Sequence, residues 1–309
     1  MILGTRGSKL AMAQARKVAG LLEASGVRVE LKVVRTAGDV QADVPLHEVK
    51  GGYGAFVREL DEQLLHGEID AAVHSMKDIP VKRPGGLAIA AVLERESALD
   101  VAITRDGRPL ADLPAGSIVG TSSTRRTALV RRHYPDLRPQ NIRGNVDTRL
   151  NKLGAGDYDA ILLAEAGLIR LGLDRPLERL DPYRFVPTAN QGVIAVVARE
   201  STPAFKEVQA LDHGPTRAAT TVERIVIEAM GGGCVTPMGV YAGQEGECLE
   251  IVAEILSLDG TRQARVQEMI PSHLYHNRAL QLARRLAAAG GTALIEDAKK
   301  TLGEGCYDD

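Results

Sequence analysis

Residues 1–33 read MILGTRGSKLAMAQARKVAGLLEASGVRVELKV, and this stretch predicts the fold class. A short apolar strand over residues 1–5 is followed by Ser8, whose hydroxyl suits the N-cap of a helix. Apolar residues then recur at helical spacing until Gly26, and from Val27 onward apolar and polar residues alternate as in a half-buried strand. The order strand, helix, strand is typical of α/β proteins, and it predicts a mostly parallel sheet.

The same rhythm continues along the chain and predicts more than one domain. At 309 residues the chain is long for a single core. A first α/β segment reaches about residue 95, and a second covers residues 99–188. From residue 215 to 309 the pattern changes to a helix, two strands and two further helices, which predicts a smaller α+β domain.

Composition excludes several classes of protein. The net charge of -2 argues against a general nucleic-acid or membrane-surface binder. Aromatic residues make up only 3% of the chain, so few side chains are available to stack on the bases of single-stranded nucleic acid. The cysteines Cys234, Cys248 and Cys306 form neither a disulfide framework nor a zinc-ligand spacing, so we expect a reducing compartment and no metal site. The first residues lack the pattern of a signal peptide, and we expect a cytoplasmic protein.

Two turns in the second segment combine helix starts with arginines. Residues 120–126 (GTSSTRR) end a strand and open a helix, where backbone N–H groups and the helix dipole favour an anion. Residues 143–149 (RGNVDTR) repeat this arrangement, with Asn145 or Asp147 as the possible cap. The alternatives are a capped helix with a solvated basic face for the first turn and an ion pair between Arg149 and an acid such as Asp147 for the second.

A third turn, residues 74–78 (HSMKD), follows the carboxyl end of a strand, where open α/β sheets place their ligands. Lys77 there could hold an anion, and Asp78 could stabilise a developing cation. The alternatives are a surface Lys-Asp turn and, for His74, a buried histidine with satisfied hydrogen bonds.

Two further sites have simpler alternatives. Arg6 and Ser8 occupy the first strand-to-helix turn, where a helix cap is sufficient explanation. Cys234 follows three glycines, which leave its sulfur uncrowded, although a lone cysteine is more often a small buried hydrophobe. No histidine is close in sequence to act as its base, which disfavours a papain-like protease.

Ordered motifs over nearly the whole chain resemble the porphobilinogen deaminase family. They are TRxS at 5–8 with AQA at 13–15, VHSMKDIP at 73–80, GTSSxRR at 120–126, RGNVxTRL at 143–150, AGLxRLG at 166–172, QG at 191–192 and GGC at 232–234. The resemblance implies an α/β fold with two periplasmic-binding-protein-like α/β domains, a cleft between them, and a smaller α+β C-terminal domain. Residues 193–211 would return to domain 1 (1–95), beside domain 2 (99–188) and domain 3 (215–309).

The resemblance also implies a reaction and its residues. Family members condense four porphobilinogen molecules head to tail with loss of ammonia, on a dipyrromethane primer, and release hydroxymethylbilane by hydrolysis. By position, Cys234 would hold the dipyrromethane cofactor through a thioether and Asp78 would be the catalytic acid. The implied cofactor- and substrate-binding residues are Arg6, Ser8, Phe56, Lys77, Thr121, Ser122, Ser123, Arg125, Arg126, Arg143, Arg149, Arg170, Gln191 and Gly192. The expected partner is the small-molecule substrate, bound by a monomer.

The sequence departs from the family pattern at three positions. Tyr53 and Arg58 stand where lysine is common, and Glu165 places an acid where a small or apolar residue is usual. The competing hypothesis is a non-catalytic carboxylate- or phosphate-binding protein with the same two α/β domains, because fold alone does not decide function. A third domain bearing Cys234 has no purpose in such a protein.

Overall fold

The computed structural model describes residues 1–36, 57–231 and 236–302. Its helices and strands, in chain order, are β1 (Ile2–Arg6), α1 (Lys9–Ala24), β2 (Glu30–Val34), α2 (Arg58–His66), β3 (Ala71–Ser75), β4 (Leu87–Val92), β5 (Asp100–Thr104), β6 (Ile118–Gly120), α3 (Thr124–His133), β7 (Arg138–Gln140), α4 (Val146–Ala155), β8 (Ala160–Ala164), α5 (Glu165–Arg170), β9 (Glu178–Arg179), β10 (Ile194–Arg199), α6 (Pro203–Gln209), α7 (Gly214–Met230), β11 (Met238–Glu245), β12 (Cys248–Leu256), β13 (Gln263–Pro271), α8 (Tyr275–Leu286) and α9 (Thr292–Leu302).

The chain divides into two compact units. Unit 1 comprises Met1–Glu96, Ile169–Leu173 and Gln191–Arg217, and unit 2 comprises Ser97–Leu168, Asp174–Asn190 and Ala218–Asp309. The three-domain division is finer than this split and stays a prediction.

Unit 1 is built on a five-stranded sheet in the order β2-β1-β3-β10-β4. Strand β1 runs parallel to β2 and β3, whereas β10 is antiparallel to both of its neighbours, β3 and β4. Four of the five strands therefore run in one direction, which agrees with the expectation of a mostly parallel sheet. The exception is β10, which joins the sheet from a later part of the chain and enters between β3 and β4 in the opposite direction. The buried side chains of α1, such as Val18 and Leu22, cover one face, and Leu60 and Leu64 of α2 cover the other.

The sheet of unit 2 has the order β7-β6-β8-β5-β9. Strand β6 is parallel to β7 and β8, and β5 is antiparallel to β8 and β9. Helix α3 packs Leu129 against the core formed with Leu162 and Ala102 of the sheet. The carboxyl ends of β6, β7 and β8 therefore lie at one edge, and the loops that follow these strands meet there.

Unit 2 also contains an antiparallel sheet, β11-β12-β13, covered by apolar residues of α7, α8 and α9. The sequence predicted two strands here, and the structure has three. The β12–β13 turn lies against α3, since a Cβ on Gly260 would be 2.5 Å from the carbonyl oxygen of Ala128. Arg132 of α3 also donates to the carbonyl of Gly260 at 3.2 Å.

Two mixed α/β sheets and a small C-terminal three-stranded layer confirm the predicted fold class. In the described ranges, none of the helices combines the length and the apolar character needed to cross a bilayer.

Candidate active site

A small pocket opens in unit 1 where β1 and β3 end. Because these two strands are parallel neighbours, the residues that follow them meet at one edge of the sheet. We call this the Asp78 pocket. Its lining residues are Arg6, Ser8, Leu10, Ala11, Gln14, Val57, Val73, His74, Ser75 and Asp78.

The start of α1 forms one wall of the Asp78 pocket. The Ser8 hydroxyl accepts a hydrogen bond from the backbone N–H of Ala11 at 3.2 Å, so Ser8 is the predicted N-cap and also a lining residue. Further along α1, the buried Gln14 donates from Nε2 to the Ser75 hydroxyl at 2.7 Å. This bond ties the helix to the strand that leads into the Asp78 turn.

The turn that carries Asp78 is a short 3₁₀ helix, Met76–Asp78, and it is anchored at its start. Met76 is buried, and its N–H donates to the carbonyl of Val193 at 2.9 Å. Lys77 donates from Nζ to Gln191 Oε1 at 3.2 Å. The alternative of a simple surface Lys-Asp turn therefore does not describe this segment.

Arg170 is held in unit 1 by two acceptors. Its Nε donates to Glu96 Oε2 at 2.6 Å, and its Nη2 donates to the carbonyl of Gly192 at 2.7 Å. Burial lowers the pKa of Arg170, while the charges of Glu96 and Asp78 act in the opposite direction. Burial would raise the pKa of Glu96, but its contacts with Lys17 and Arg170 outweigh burial and lower it. The arginine is thus a fixed cation within electrostatic range of Asp78.

His74 is buried beside a second ion pair. Arg83 donates from Nη2 to Asp61 Oδ1 at 2.7 Å. Burial, followed by the charges of Arg83 and Arg6, lowers the pKa of His74 to about 3. The Nε2 atom of His74 has no hydrogen-bond partner in the described structure. The histidine is buried as expected, but its Nε2 is not satisfied by any described residue.

Unit 2 gathers its predicted anion-binding residues at the carboxyl ends of β6 and β7. We call this the cationic edge, formed by residues 121–126 and 143–149. Ser123 is the N-cap of α3 and accepts from the N–H of Arg126 at 3.4 Å, and the Thr121 hydroxyl accepts from the N–H of Ser123 at 3.2 Å. Ser122 accepts from Arg149 Nη2 at 3.4 Å, which links the two turns.

Arg125 and Arg126 share one buried carboxylate. Arg125 donates to Asp100 Oδ2 at 2.7 Å and to the carbonyl of Val186 at 2.7 Å. Arg126 donates to Asp100 Oδ1 at 2.7 Å and to the carbonyl of Leu162 at 3.0 Å. Burial lowers the pKa of Arg125, and the charge of Asp100 partly offsets this effect. Two cations against one anion leave a net positive charge beneath the cationic edge.

Arg143 and Arg149 complete the cationic edge. Arg149 donates from Nε to the carbonyl of Gly144 at 2.8 Å, and Lys152 donates to the carbonyl of Arg143 at 3.3 Å. Burial, followed by the charges of Arg126 and Arg143, lowers the pKa of Arg149 to about 10. The Nε atom of Arg143 is buried and has no hydrogen-bond partner among the described residues. Crowded cations and an unpaired donor suit a ligand with several carboxylates, such as a dipyrromethane with its acid side chains.

The structure brings the predicted residues together in two groups. Arg6, Ser8, Lys77, Asp78, Arg170, Gln191 and Gly192 belong to unit 1, and Thr121, Ser122, Ser123, Arg125, Arg126, Arg143 and Arg149 belong to unit 2. Phe56, Tyr53 and Cys234 lie outside the described residues.

Sequence reasoning missed several residues that hold the site, among them Gln14, Glu96, Asp100 and Lys152. One signal was available for Asp100, because an acid at the start of the apolar run DVAIT must find a buried partner. Nothing in the sequence pairs Glu96 with Arg170, which are 74 residues apart.

Comparisons with known proteins agree on one family. Residues 1–207 match the family model described as porphobilinogen deaminase, dipyromethane cofactor binding domain, and residues 218–289 match porphobilinogen deaminase, C-terminal domain. A probable porphobilinogen deaminase of Methanocella arvoryzae is 59% identical over 302 residues, covering 98% of this chain and 99% of the relative. The porphobilinogen deaminase of Syntrophomonas wolfei is 42% identical, covering 96% and 98%.

Solved structures resemble the chain more distantly. An ABC transporter periplasmic substrate-binding protein from Coxiella burnetii has a TM-score of 0.42 and 15% identity, covering 70% of this chain and 93% of its own. An ancestral cationic amino acid solute-binding protein has a TM-score of 0.42 and 12% identity, covering 68% and 87%.

Proposed function

The chain belongs to the porphobilinogen deaminase family, and on that premise we propose that Asp78 is its catalytic acid and Cys234 its point of cofactor attachment. The protein is a hydroxymethylbilane synthase, a transferase of tetrapyrrole biosynthesis that condenses four porphobilinogen molecules with loss of ammonia. Its cofactor is dipyrromethane, which supplies the primer to which substrate units are added.

The observation that carries the assignment of Asp78 is its place in a pocket with Arg6 and Ser8. A carboxylate there can accept hydrogen bonds from a pyrrole N–H and stabilise the positive charge that develops on the substrate as ammonia leaves. Arg6 supplies a cation and Ser8 a hydroxyl for the substrate carboxylates. Lys77 is oriented by Gln191, and Arg170 by Glu96 and the carbonyl of Gly192, so these cations need little rearrangement.

The cationic edge of unit 2 is proposed to bind the acetate and propionate groups of the pyrroles. Arg143 and Arg149 are the donors best placed for this, because the buried Nε of Arg143 finds no acceptor in the part of the chain that the structure describes and Arg149 is crowded by like charges. Arg125 and Arg126 contribute mainly through the net charge that they keep after pairing with Asp100. We further propose that the enzyme is a cytoplasmic monomer whose small-molecule substrate is porphobilinogen, and that it binds neither nucleic acid nor a membrane.

Intact-protein mass spectrometry tests the attachment at Cys234. We expect the wild-type protein to carry the mass of two deaminated porphobilinogen units, and Cys234→Ser to lack it. Cys248→Ser, which removes a thiol in β12, is the matched control and should keep the adduct. A folded wild-type protein without the adduct, isolated from cells that make porphobilinogen, would favour the non-catalytic binding protein.

Turnover tests Asp78. Asp78→Asn keeps the shape of the side chain and removes its charge, so we expect the adduct to remain and turnover to fall about 100- to 1000-fold. Asp106→Asn, at an exposed carboxylate of unit 2, should leave turnover unchanged. Near-normal turnover in Asp78→Asn would remove Asp78 from its proposed role.

A further inference from the structure

Glu165 is a buried acid that the proposed mechanism does not use. It is 5% exposed and begins α5, and its Oε1 accepts from Arg179 Nε at 2.6 Å. Among the described residues, Arg179 is the single ion-pair partner of Glu165. The arginine side chain is 65% exposed and donates across from the short strand β9. The pair therefore joins a buried anion to a cation that reaches solvent.

The position of Glu165 relates it to the cationic edge. It follows β8 directly, and β8 is the parallel neighbour of β6, which ends in the turn of residues 121–123. A Cβ on Gly167 would lie 3.9 Å from Val146 Cγ2, so the start of α5 lies against the start of α4. Val146 itself belongs to the turn of residues 143–149. The acid is thus placed at the edge where unit 2 gathers its arginines.

Glu165 is separate from the Asp100 cluster. In the antiparallel pairing of β5, Asp100 lies opposite Ala164, whereas the next residue, Val101, pairs with both Leu163 and Arg179. Because side chains alternate between the faces of a strand, Arg179 projects from the face opposite to Asp100. Its partner Glu165 therefore adds a negative charge that Arg125 and Arg126 do not neutralise.

A buried carboxylate at an edge that binds carboxylates repels the ligand of that edge, unless a nearby cation compensates for its negative charge. We propose that Arg179 performs this task, and that the Glu165–Arg179 pair sets the net charge of the cationic edge and thereby its affinity for the polycarboxylate substrate. This inference rests on the proposed function for its substrate. Neither residue lines the Asp78 pocket, so the pair acts on substrate binding and not on the chemical step.

The net charge of the pair can be changed in both directions by replacing either residue with the uncharged glutamine. Arg179→Gln leaves the pair at -1, Glu165→Gln leaves it at +1, and the double variant returns it to zero. We expect KM for porphobilinogen to rise about three- to tenfold in Arg179→Gln, as for a unit charge acting through partly solvated protein. KM should fall in Glu165→Gln and return to within about twofold of wild type in the double variant. We expect kcat to change less than about twofold in all three.

This order of KM values distinguishes an electrostatic role of the Glu165–Arg179 pair from a structural one. Loss of a merely structural ion pair would raise KM in both single variants, and that result, or equal KM in all four proteins, would overturn the proposal. If Arg179→Gln does not fold, the comparison of wild type, Glu165→Gln and the double variant still decides, since only Glu165→Gln should bind more tightly. The differences should shrink as ionic strength rises.

A second measurement does not depend on turnover. In a thermal-shift titration with inorganic sulfate, we expect the half-saturating concentration to be highest for Arg179→Gln and lowest for Glu165→Gln, with the double variant close to wild type. An identical sulfate response in all four proteins would contradict the proposal. If the wild-type protein makes no bilane, the proposed function fails, while the sulfate order still tests the charge of the edge.

Discussion

Single acids at this site each hold two cationic side chains in place. Asp100 accepts from both Arg125 and Arg126, so the two arginines are fixed before any ligand arrives. Glu96 does the same for Arg170 and Lys17. An arginine that is already ordered loses less side-chain entropy on binding a carboxylate, although part of its donor set is then committed.

His74 makes the stability of the protein depend on pH. Its pKa is lowered from 6.5 to about 3 by burial and by the charges of Arg83 and Arg6. Below pH 6.5 the unfolded chain binds a proton that the folded chain does not bind until about pH 3. The contribution of His74 to the free energy of unfolding should therefore be fully present above pH 6.5. Between pH 6.5 and pH 3 the free energy of unfolding should fall by up to about 1.4 kcal/mol per pH unit.

Urea denaturation between pH 7 and pH 4 measures this slope. His74→Gln removes the titrating group, so its free energy of unfolding should depend less steeply on pH than that of the wild type, whatever its absolute value. Parallel pH profiles for the two proteins would show that His74 is not the group responsible.

Helix caps at the candidate site were easier to predict from the sequence than its ion pairs. Ser8 and Ser123 were recognisable as caps because capping depends on local spacing. The sharing of Asp100 by two arginines, and the pairing of Glu165 with Arg179, depend on strands that meet only in the folded sheet. Strand alternation in a local segment carries no information about such partners.

At the scale of elements, the β12–β13 turn attaches the three-stranded sheet to α3. Gly260 has a φ of +77°, and an added Cβ would lie 2.5 Å from the carbonyl oxygen of Ala128. Gly246, in the β11–β12 turn, has a similar φ of +59° with nothing within 4 Å of an added Cβ. The two glycines thus share a left-handed backbone conformation, which would be strained in alanine, and they differ in what lies next to an added Cβ.

Gly246→Ala should lower the free energy of unfolding by about 1–2 kcal/mol, the usual cost of a left-handed conformation with a Cβ. Gly260→Ala should lower it by a further 1–3 kcal/mol or so, because the turn must move away from α3. Urea denaturation of both variants measures the difference. Equal losses would mean that the turn does not depend on its contact with the helix.

The main direction of the strands in unit 1 was predictable from the sequence, whereas the one antiparallel strand was not. The periodicity of residues 1–33 gave β1, α1 and β2 with small errors at their ends. The antiparallel entry of β10 was missed because its direction is decided by where the chain returns to unit 1. The C-terminal sheet was predicted with two strands instead of three, and the weakest pattern belongs to β13 (QARVQEMIP), which is half exposed and rich in polar residues.

At the scale of the whole molecule, a net charge of -2 conceals a strongly cationic site. Burial, followed by the positive charges of Arg126 and Arg143, lowers the pKa of Arg149, so part of this shift is repulsion between like charges. A polycarboxylate cofactor linked to Cys234 would stay attached in the unfolded chain, but its carboxylates would contact these arginines only in the folded protein. It would therefore relieve the repulsion and stabilise the fold. Cys234→Ser, which cannot hold such a cofactor by a thioether, should therefore melt at a lower temperature than wild type.

Sulfate separates this electrostatic cause from simple loss of a side chain. If unbalanced arginines lower the melting temperature of Cys234→Ser, sulfate should raise that temperature more than it raises the wild type's, because the cofactor's carboxylates already neutralise the wild-type site. Cys248→Ser, which lacks a thiol but keeps position 234, should respond as the wild type does. Differential scanning calorimetry of the three proteins with and without sulfate measures this, and a uniform sulfate effect would place the stabilising charge elsewhere in the molecule.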